Sequence, residues 1–217
     1  MMLNMFRRSC SPVTASRPVR VGFATIAIAA VAAFSTPQAQ AVQIDFVNLA
    51  DHVLGEGAFY SYDFGAIRVH ASATSTDSSV SPVAYLDRGN AGLGVCSYAN
   101  AACAGNNDDN VNGSSPAGNH GTETLTLRFT DLLDVDIVVT LDPISFRDAN
   151  HGTNVANVDF SIDAGAFSNT ALSGGVLNTP LTGTEFSFRA ILGNHFWFLD
   201  VSTRISQVTE PFDTVCV

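Results

Sequence analysis

The chain has 217 residues, with 20 acidic residues against 10 arginines and no lysine, and its formal net charge is −10. A chain this acidic lacks the cationic surface that binds a phosphate backbone, so nucleic acid is excluded as a partner. Sixteen of the acidic residues are Asp, whose short carboxylate suits turns and hard cations such as calcium.

The first 41 residues have the pattern of a secretory signal peptide. A basic head without acids contains Arg7, Arg8, Arg17 and Arg20. The stretch VGFATIAIAAVAAF follows, and Ala39-Gln40-Ala41 fits the small-x-small cleavage pattern. The apolar run is short for the roughly 20 residues of a membrane span, so we expect cleavage after Ala41 and no stable membrane span afterwards.

Cleavage leaves a domain over 42–208 and a short tail over 209–217. This processed chain keeps six arginines and all 20 acids, a net charge of −14. It also keeps three cysteines, Cys96, Cys103 and Cys216. Export implies an oxidising compartment where close cysteines pair, so we predict a Cys96–Cys103 disulfide in a secreted, periplasmic or cell-surface protein. Cys216 is left either free or linked to another chain.

Short runs of alternating apolar residues follow Ala41. TLTLRF places Leu125, Leu127 and Phe129 on one face, and EFSFRAI does the same with Phe186 and Phe188. Strands are predicted near 43–49, 58–64, 66–73, 83–87, 123–130, 135–141, 144–147, 155–162, and in a pair at 184–191 and 195–206. Their number and spacing predict an all-β fold, an antiparallel two-sheet sandwich that is jelly-roll-like.

The segment from Gly89 to Gly121 lacks this periodicity, and we interpret it as one long loop that is tied down or functional. Within it, DDNVNG reproduces the front half of the calcium loop of helix-loop-helix proteins. The twelfth position is Asn119 rather than Glu and no flanking helices are predicted, so a helix-loop-helix site is rejected.

Two interpretations of the Asp/Asn cluster remain open. One is a single loop that binds structural Ca²⁺, in which Glu123 closes the ligand shell from the next strand. The other is a plain polar turn, because Asp and Asn side chains also bond their own backbone. The candidate metal ligands are Asp108, Asp109, Asn110, Asn112 and Glu123.

Three further features have both a functional and a structural interpretation. Asp148 and His151 are three residues apart after a predicted strand. They are either a pair of ligands or part of a solvated turn. Trp197 is a candidate platform for stacking on sugar rings, or part of a buried strand. The sequence has no G-x-S-x-G elbow, phosphate loop or H-E-x-x-H motif, and no catalytic residues are predicted.

Several short elements, in order, resemble secreted bacterial proteins of the PEP-CTERM class. They are Gly92 to Val95, Asp108 to Asn110, Glu123 with Leu125, and Phe146, Asp148 and His151. The resemblance implies an exported β-sandwich in bacteria that make exopolysaccharide or biofilm. That class normally ends in Pro-Glu-Pro, an apolar helix and a basic tail. Here Thr209-Glu210-Pro211 is followed only by FDTVCV, so we expect no sorting helix.

The sequence therefore favours a non-catalytic exported β-sandwich of the cell surface or extracellular matrix. Extracellular polysaccharide or other surface proteins are the expected partners. A carbohydrate-binding module is the alternative and requires an exposed aromatic face. A glycoside hydrolase-like enzyme is the further alternative and requires two carboxylates at catalytic distance in a cleft.

Overall fold

The computed structural model describes residues 41–97, 103, 110–113, 121–148, 150–190, 197–200 and 203–206. All of them belong to one compact unit, Pro37–Val217. The predicted signal peptide up to residue 40, Asp108, Asp109, Cys216 and the tail at 209–217 lie outside the described residues.

The described residues form strands, with one short helical segment near the beginning. The strands are β1 (Ala41–Ile44), β2 (Gly57–Ala58), β3 (Ser61–Phe64), β4 (Ile67–Ser75), β5 (Val83–Asp87), β6 (Gly92–Cys96), β7 (Glu123–Thr130), β8 (Val139–Leu141), β9 (Ile144–Asp148), β10 (Asn157–Ile162), β11 (Ser168–Ala171), β12 (Val176–Leu177), β13 (Leu181–Gly183), β14 (Glu185–Arg189), β15 (Trp197–Asp200) and β16 (Thr203–Ser206). The helical segment is α1 (Phe46–Asn48), continued by a π-helical turn (Leu49–Val53).

Two six-stranded antiparallel sheets form the body of the molecule. Their strand orders are β11-β10-β14-β7-β4-β3 and β12-β9-β15-β6-β5-β2, and the pairs β1–β16 and β13–β8 form two small sheets. Side chains of both large sheets meet in one core, where Phe146 of β9 packs edge-to-face on Phe188 of β14 with ring centroids 5.7 Å apart. The fold is an antiparallel two-sheet sandwich, which confirms the predicted class.

The alternating strands form because one face of each is buried and the other is not. Along β7, Leu125, Leu127 and Phe129 are fully buried, whereas Thr126 and Arg128 between them are partly exposed. Each such apolar side chain contributes roughly 1.5–3 kcal/mol when it leaves water. A register slip by one residue would expose the whole set, so the burial fixes the pairing of β7 with β4 and β14.

The prediction of one loop from Gly89 to Gly121 is wrong, because the segment begins with a central strand. β6 lies between β5 and β15, and all five of its residues are buried. A strand buried on both faces shows no alternation. Its glycines further hide the pattern: Gly94 stands opposite Tyr85 of β5, a ring that is only 2% exposed.

Two other predicted strands are shorter than expected. The strand at 43–49 ends at Ile44, because Asp45 caps the helical segment by accepting a hydrogen bond from the backbone N–H of Asn48 at 2.7 Å. The strand at 135–141 is restricted to β8, since Asp131 Oδ1 holds a turn by accepting from the backbone of Leu133 and Val135. The short strands β11, β12 and β13 were not predicted.

Candidate functional site

We use the term rim for residues 89–97, 103 and 110–113, which lie between β5 and β7 in the chain. The predicted disulfide holds the part of this rim that follows β6. Cys96 and Cys103 are bonded, with their Cα atoms 5.8 Å apart, and both are fully buried. They pack with Tyr85 and Val83 of β5 as a small cluster separate from the main core. The bridge therefore fastens the chain that leaves β6 to the neighbouring strand.

Glu123, the first residue of β7, is the second fastening. Its carboxylate is completely buried and accepts hydrogen bonds from the Ser97 hydroxyl and, at 2.9 Å, from the backbone N–H of Asn112. The backbone N–H of Glu123 in turn donates to the Asn112 carbonyl at 2.9 Å. Hydrogen bonds to a charged acceptor are stronger than neutral ones, so this carboxylate ties Ser97 and the segment 110–113 to the sheet.

The structure brings three of the predicted metal ligands together. Asn110, Asn112 and Glu123 are buried side by side, and the Asn112 amide donates to the Asn110 carbonyl. Asp108 and Asp109 lie outside the described residues. Within the described part of the chain, no group of three or more His, Cys, Asp or Glu side chains could hold a metal ion. The side chains of Asn110, Asn112 and Glu123 carry amide and carboxylate oxygens, the ligand type that Ca²⁺ prefers.

A third fastening links the turn after β9 to the turn after β5. His151 Nδ1 lies 2.6 Å from the Gly89 carbonyl oxygen and donates to it in the tautomer that places the proton on Nδ1. His151 Nε2 lies 3.3 Å from Asp87 Oδ2. Burial raises the pKa of the Asp87 carboxyl, and the neighbouring His151 partly offsets this. The ring therefore bridges two turns that are 62 residues apart in sequence.

Asp51 holds the same turn from the other side. Its carboxylate accepts hydrogen bonds from the backbone N–H groups of Gly89 at 2.8 Å and Asn90 at 3.3 Å. Gly89 has φ +77° and Asn90 has φ +74°, the left-handed region that these residue types tolerate best. The turn that leads into β6 is therefore bonded to the helical segment through Asp51 and to the turn after β9 through His151.

The Asp148 and His151 side chains have different partners. Asp148 Oδ1 accepts from the backbone N–H groups of Asn150 at 2.8 Å and Gly152 at 3.0 Å. Burial alone would raise the pKa of Asp148, but the hydrogen bonds from Gly152 and Asn150 outweigh it and the pKa is lowered. The carboxylate caps its own turn, which places the His151 ring against Gly89.

Sequence reasoning missed Ser97, Asp51 and Asp87. Ser97 directly follows the predicted disulfide cysteine, which is the one local signal available. Asp51 and Asp87 carry no local signal, because their partners come near them only when the helical segment and the turn after β9 pack against the turn after β5. For Trp197, the structure gives the backbone of β15, where it pairs with Asp148, so the sugar platform stays a prediction.

Comparisons with known proteins add little to this geometry. No family model matches the chain, and no curated protein matches it. Among solved structures, a Clostridium perfringens protein, CpGH89CBM32-5, in complex with GalNAc-β-1,3-galactose, is similar at 16% identity and a TM-score of 0.31. The match covers 64% of this chain and 95% of that one. Likeness at this level assigns no ligand and no function. Among the described residues, no helix is long and apolar enough to cross a membrane.

Proposed function

We propose that the chain is an exported, non-catalytic β-sandwich of the bacterial cell surface or extracellular matrix, and that one Ca²⁺ ion stabilises its rim. The observation that carries this proposal is the pair of hydrogen bonds that the buried Glu123 carboxylate accepts. Both of its oxygens hold other parts of the protein, which is the role of a structural group rather than of a catalytic acid facing substrate.

The disulfide supports the compartment part of the proposal. A bridge that closes a seven-residue separation persists in oxidising compartments and is rare in the reducing cytosol. The buried position of Cys96 and Cys103 also argues against a catalytic thiol, because reactive cysteines are normally accessible.

The donor set supports the calcium part. Asn110, Asn112 and Glu123 would hold the ion together with Asp108 and Asp109 of the same loop. Bound there, Ca²⁺ would supply positive charge beside a carboxylate that is 0% exposed and would reduce the cost of keeping it ionised. The role is structural, and no reaction step passes through the ion.

The test is thermal unfolding of the full chain expressed in a Gram-negative host and recovered after export. Removal of calcium with a chelator is expected to lower the Tm, and added calcium to restore it, because a ligand that binds only the folded state stabilises it. Asp108→Ala is expected to abolish this response. The matched control, Asp159→Ala on β10, is expected to retain it.

Two results would contradict the proposal separately. A melting curve that is unchanged by chelator would contradict the calcium site, but it would not contradict the exported sandwich. Export would be contradicted if the chain is recovered from the cytosol with Met1 still attached and with both Cys96 and Cys103 as free thiols.

A further inference from the structure

A surface groove runs along β3, which is an edge strand of its sheet. It consists of two depressions that both contact Tyr62. Tyr62 and Phe64 alternate along β3 with Ser61 and Asp63, so the two pairs of side chains point to opposite faces of the sheet. One, of about 430 Å³, is bounded by β3 and Arg68 of the neighbouring β4. The other, of about 300 Å³, lies between β3, Gln43 of β1 and the helical segment. We call these two depressions the β3 groove.

The apolar part of the β3 groove is a fixed pair of rings. Tyr62 and Phe64 meet edge-to-face with ring centroids 5.0 Å apart, and Phe64 packs in turn on the buried Phe46 at 6.1 Å. Both rings are partly exposed, and Val53 beside them is 52% exposed. Tyr60, the residue before β3, is 66% exposed. Rigid rings with one accessible side suit the C–H face of a sugar ring.

Planar polar groups flank these rings on both sides. Gln43 and Asn48 present exposed amides on one side. On the other, Arg68 Nε donates to Asp63 Oδ1 at 2.7 Å and Arg68 Nη1 donates to Asp134 Oδ1 at 2.9 Å. Amides, carboxylates and guanidinium groups offer paired donors and acceptors that match adjacent sugar hydroxyls. The two ion pairs fix Arg68 and Asp63 in advance, which reduces the entropy lost on binding.

The charges select the class of glycan. The described residues that line the groove include two carboxylates, Asp45 and Asp63, and one cation, Arg68. Arg68 is already paired with the carboxylates of Asp63 and Asp134. Acidic sugars would be repelled there, and the negative charge of the whole chain acts in the same direction. We propose that the β3 groove binds neutral polysaccharide through Tyr62 and Asn48, which line the same depression.

The proposal adds a ligand to the exported sandwich and does not depend on calcium. The test exposes the exported, processed chain to an array of neutral and uronic-acid-containing glycans. Retention is expected on neutral glycans. Tyr62→Leu keeps an apolar side chain in place but removes the aromatic face, and it is expected to reduce retention about tenfold. Asn48→Ala is expected to reduce it severalfold by removing an amide.

Asn169→Ala is the matched control, because Asn169 is an exposed asparagine on β11 at the opposite edge of the same sheet. It is expected to retain glycans as the wild type does. Each variant must melt within a few degrees of the wild type, and Asn48→Ala provides a second probe if Tyr62→Leu melts lower. Retention of no neutral glycan, retention of acidic glycans only, or retention that survives both groove variants would overturn the proposal. The calcium response is measured apart, so the two proposals fail independently.

Discussion

At the scale of single residues, several carboxylates of this protein accept hydrogen bonds from backbone N–H groups and so hold turns. Asp163, in the turn after β10, is one example: its Oδ1 accepts from the backbone N–H of Thr184 at 2.8 Å, the Thr184 hydroxyl at 2.8 Å and the backbone N–H of Glu185 at 3.0 Å. The hydrogen bond from the Thr184 backbone is the main cause that lowers the pKa of Asp163 below its ordinary 3.8. Asp51, Asp131 and Asp148 use the same chemistry at other turns.

The lowered pKa of Asp163 predicts a pH dependence of stability. A carboxyl whose folded pKa is depressed stabilises the protein above its unfolded pKa, and this contribution is lost as the pH falls through the folded pKa. Asp163→Ala is therefore expected to reduce the free energy of unfolding at pH 7 by about 1 kcal/mol. The difference from the wild type should shrink below about pH 4. Urea unfolding at several pH values measures this.

Asp163→Asn is the control for that experiment, because its amide oxygen keeps one acceptor without the charge. It is expected to lose less stability than Asp163→Ala. A loss in Asp163→Ala that stays constant from pH 7 to pH 3 would show that the carboxylate charge plays no part.

At the scale of elements, the rim depends on how β6 and β7 are connected. The Cys96–Cys103 bridge restricts the unfolded chain, and a loop of this size corresponds to about 2–3 kcal/mol in the chain-entropy description. The double change Cys96→Ser with Cys103→Ser is expected to reduce the free energy of unfolding by that amount, measured in denaturant. Cys216→Ser leaves this bridge intact and should have no comparable effect. Equal stabilities of the double variant and the wild type would contradict the fastening role.

The elements also show which parts of the fold can be predicted from sequence. β7 and β14 alternate cleanly because one face of each is buried, and both were predicted. β6 was missed because burial on both faces and two glycines remove the period of two. The helical segment was missed because a single cap, Asp45, outweighs the apolar pattern around it.

At the scale of the whole molecule, some parts of the candidate site could be predicted from the sequence and others could not. The Cys96–Cys103 bridge was predicted from compartment and spacing, and it is confirmed. The grouping of Asn110, Asn112 and Glu123 follows from their closeness to the start of β7. The partners Ser97, Asp51 and Asp87 depend on strand register, and the β3 groove depends on which strand lies at the sheet edge. Both are properties of the assembled sheets, so no local pattern reports them.

The disulfide, the Glu123 carboxylate and the His151 ring together lead to one expectation: residues 89–97, 103 and 110–113 are held to the sandwich as firmly as the core strands are held to each other. Amide hydrogen exchange of the exported chain tests this most directly, because opening of the rim alone would expose its N–H groups without global unfolding. The amides of Asn112 and Glu123 are predicted to exchange as slowly as those of the core residues Leu127 and Phe188. Exchange of Asn112 and Glu123 at the rate of an unfolded peptide, while Leu127 and Phe188 stay protected, would contradict the account.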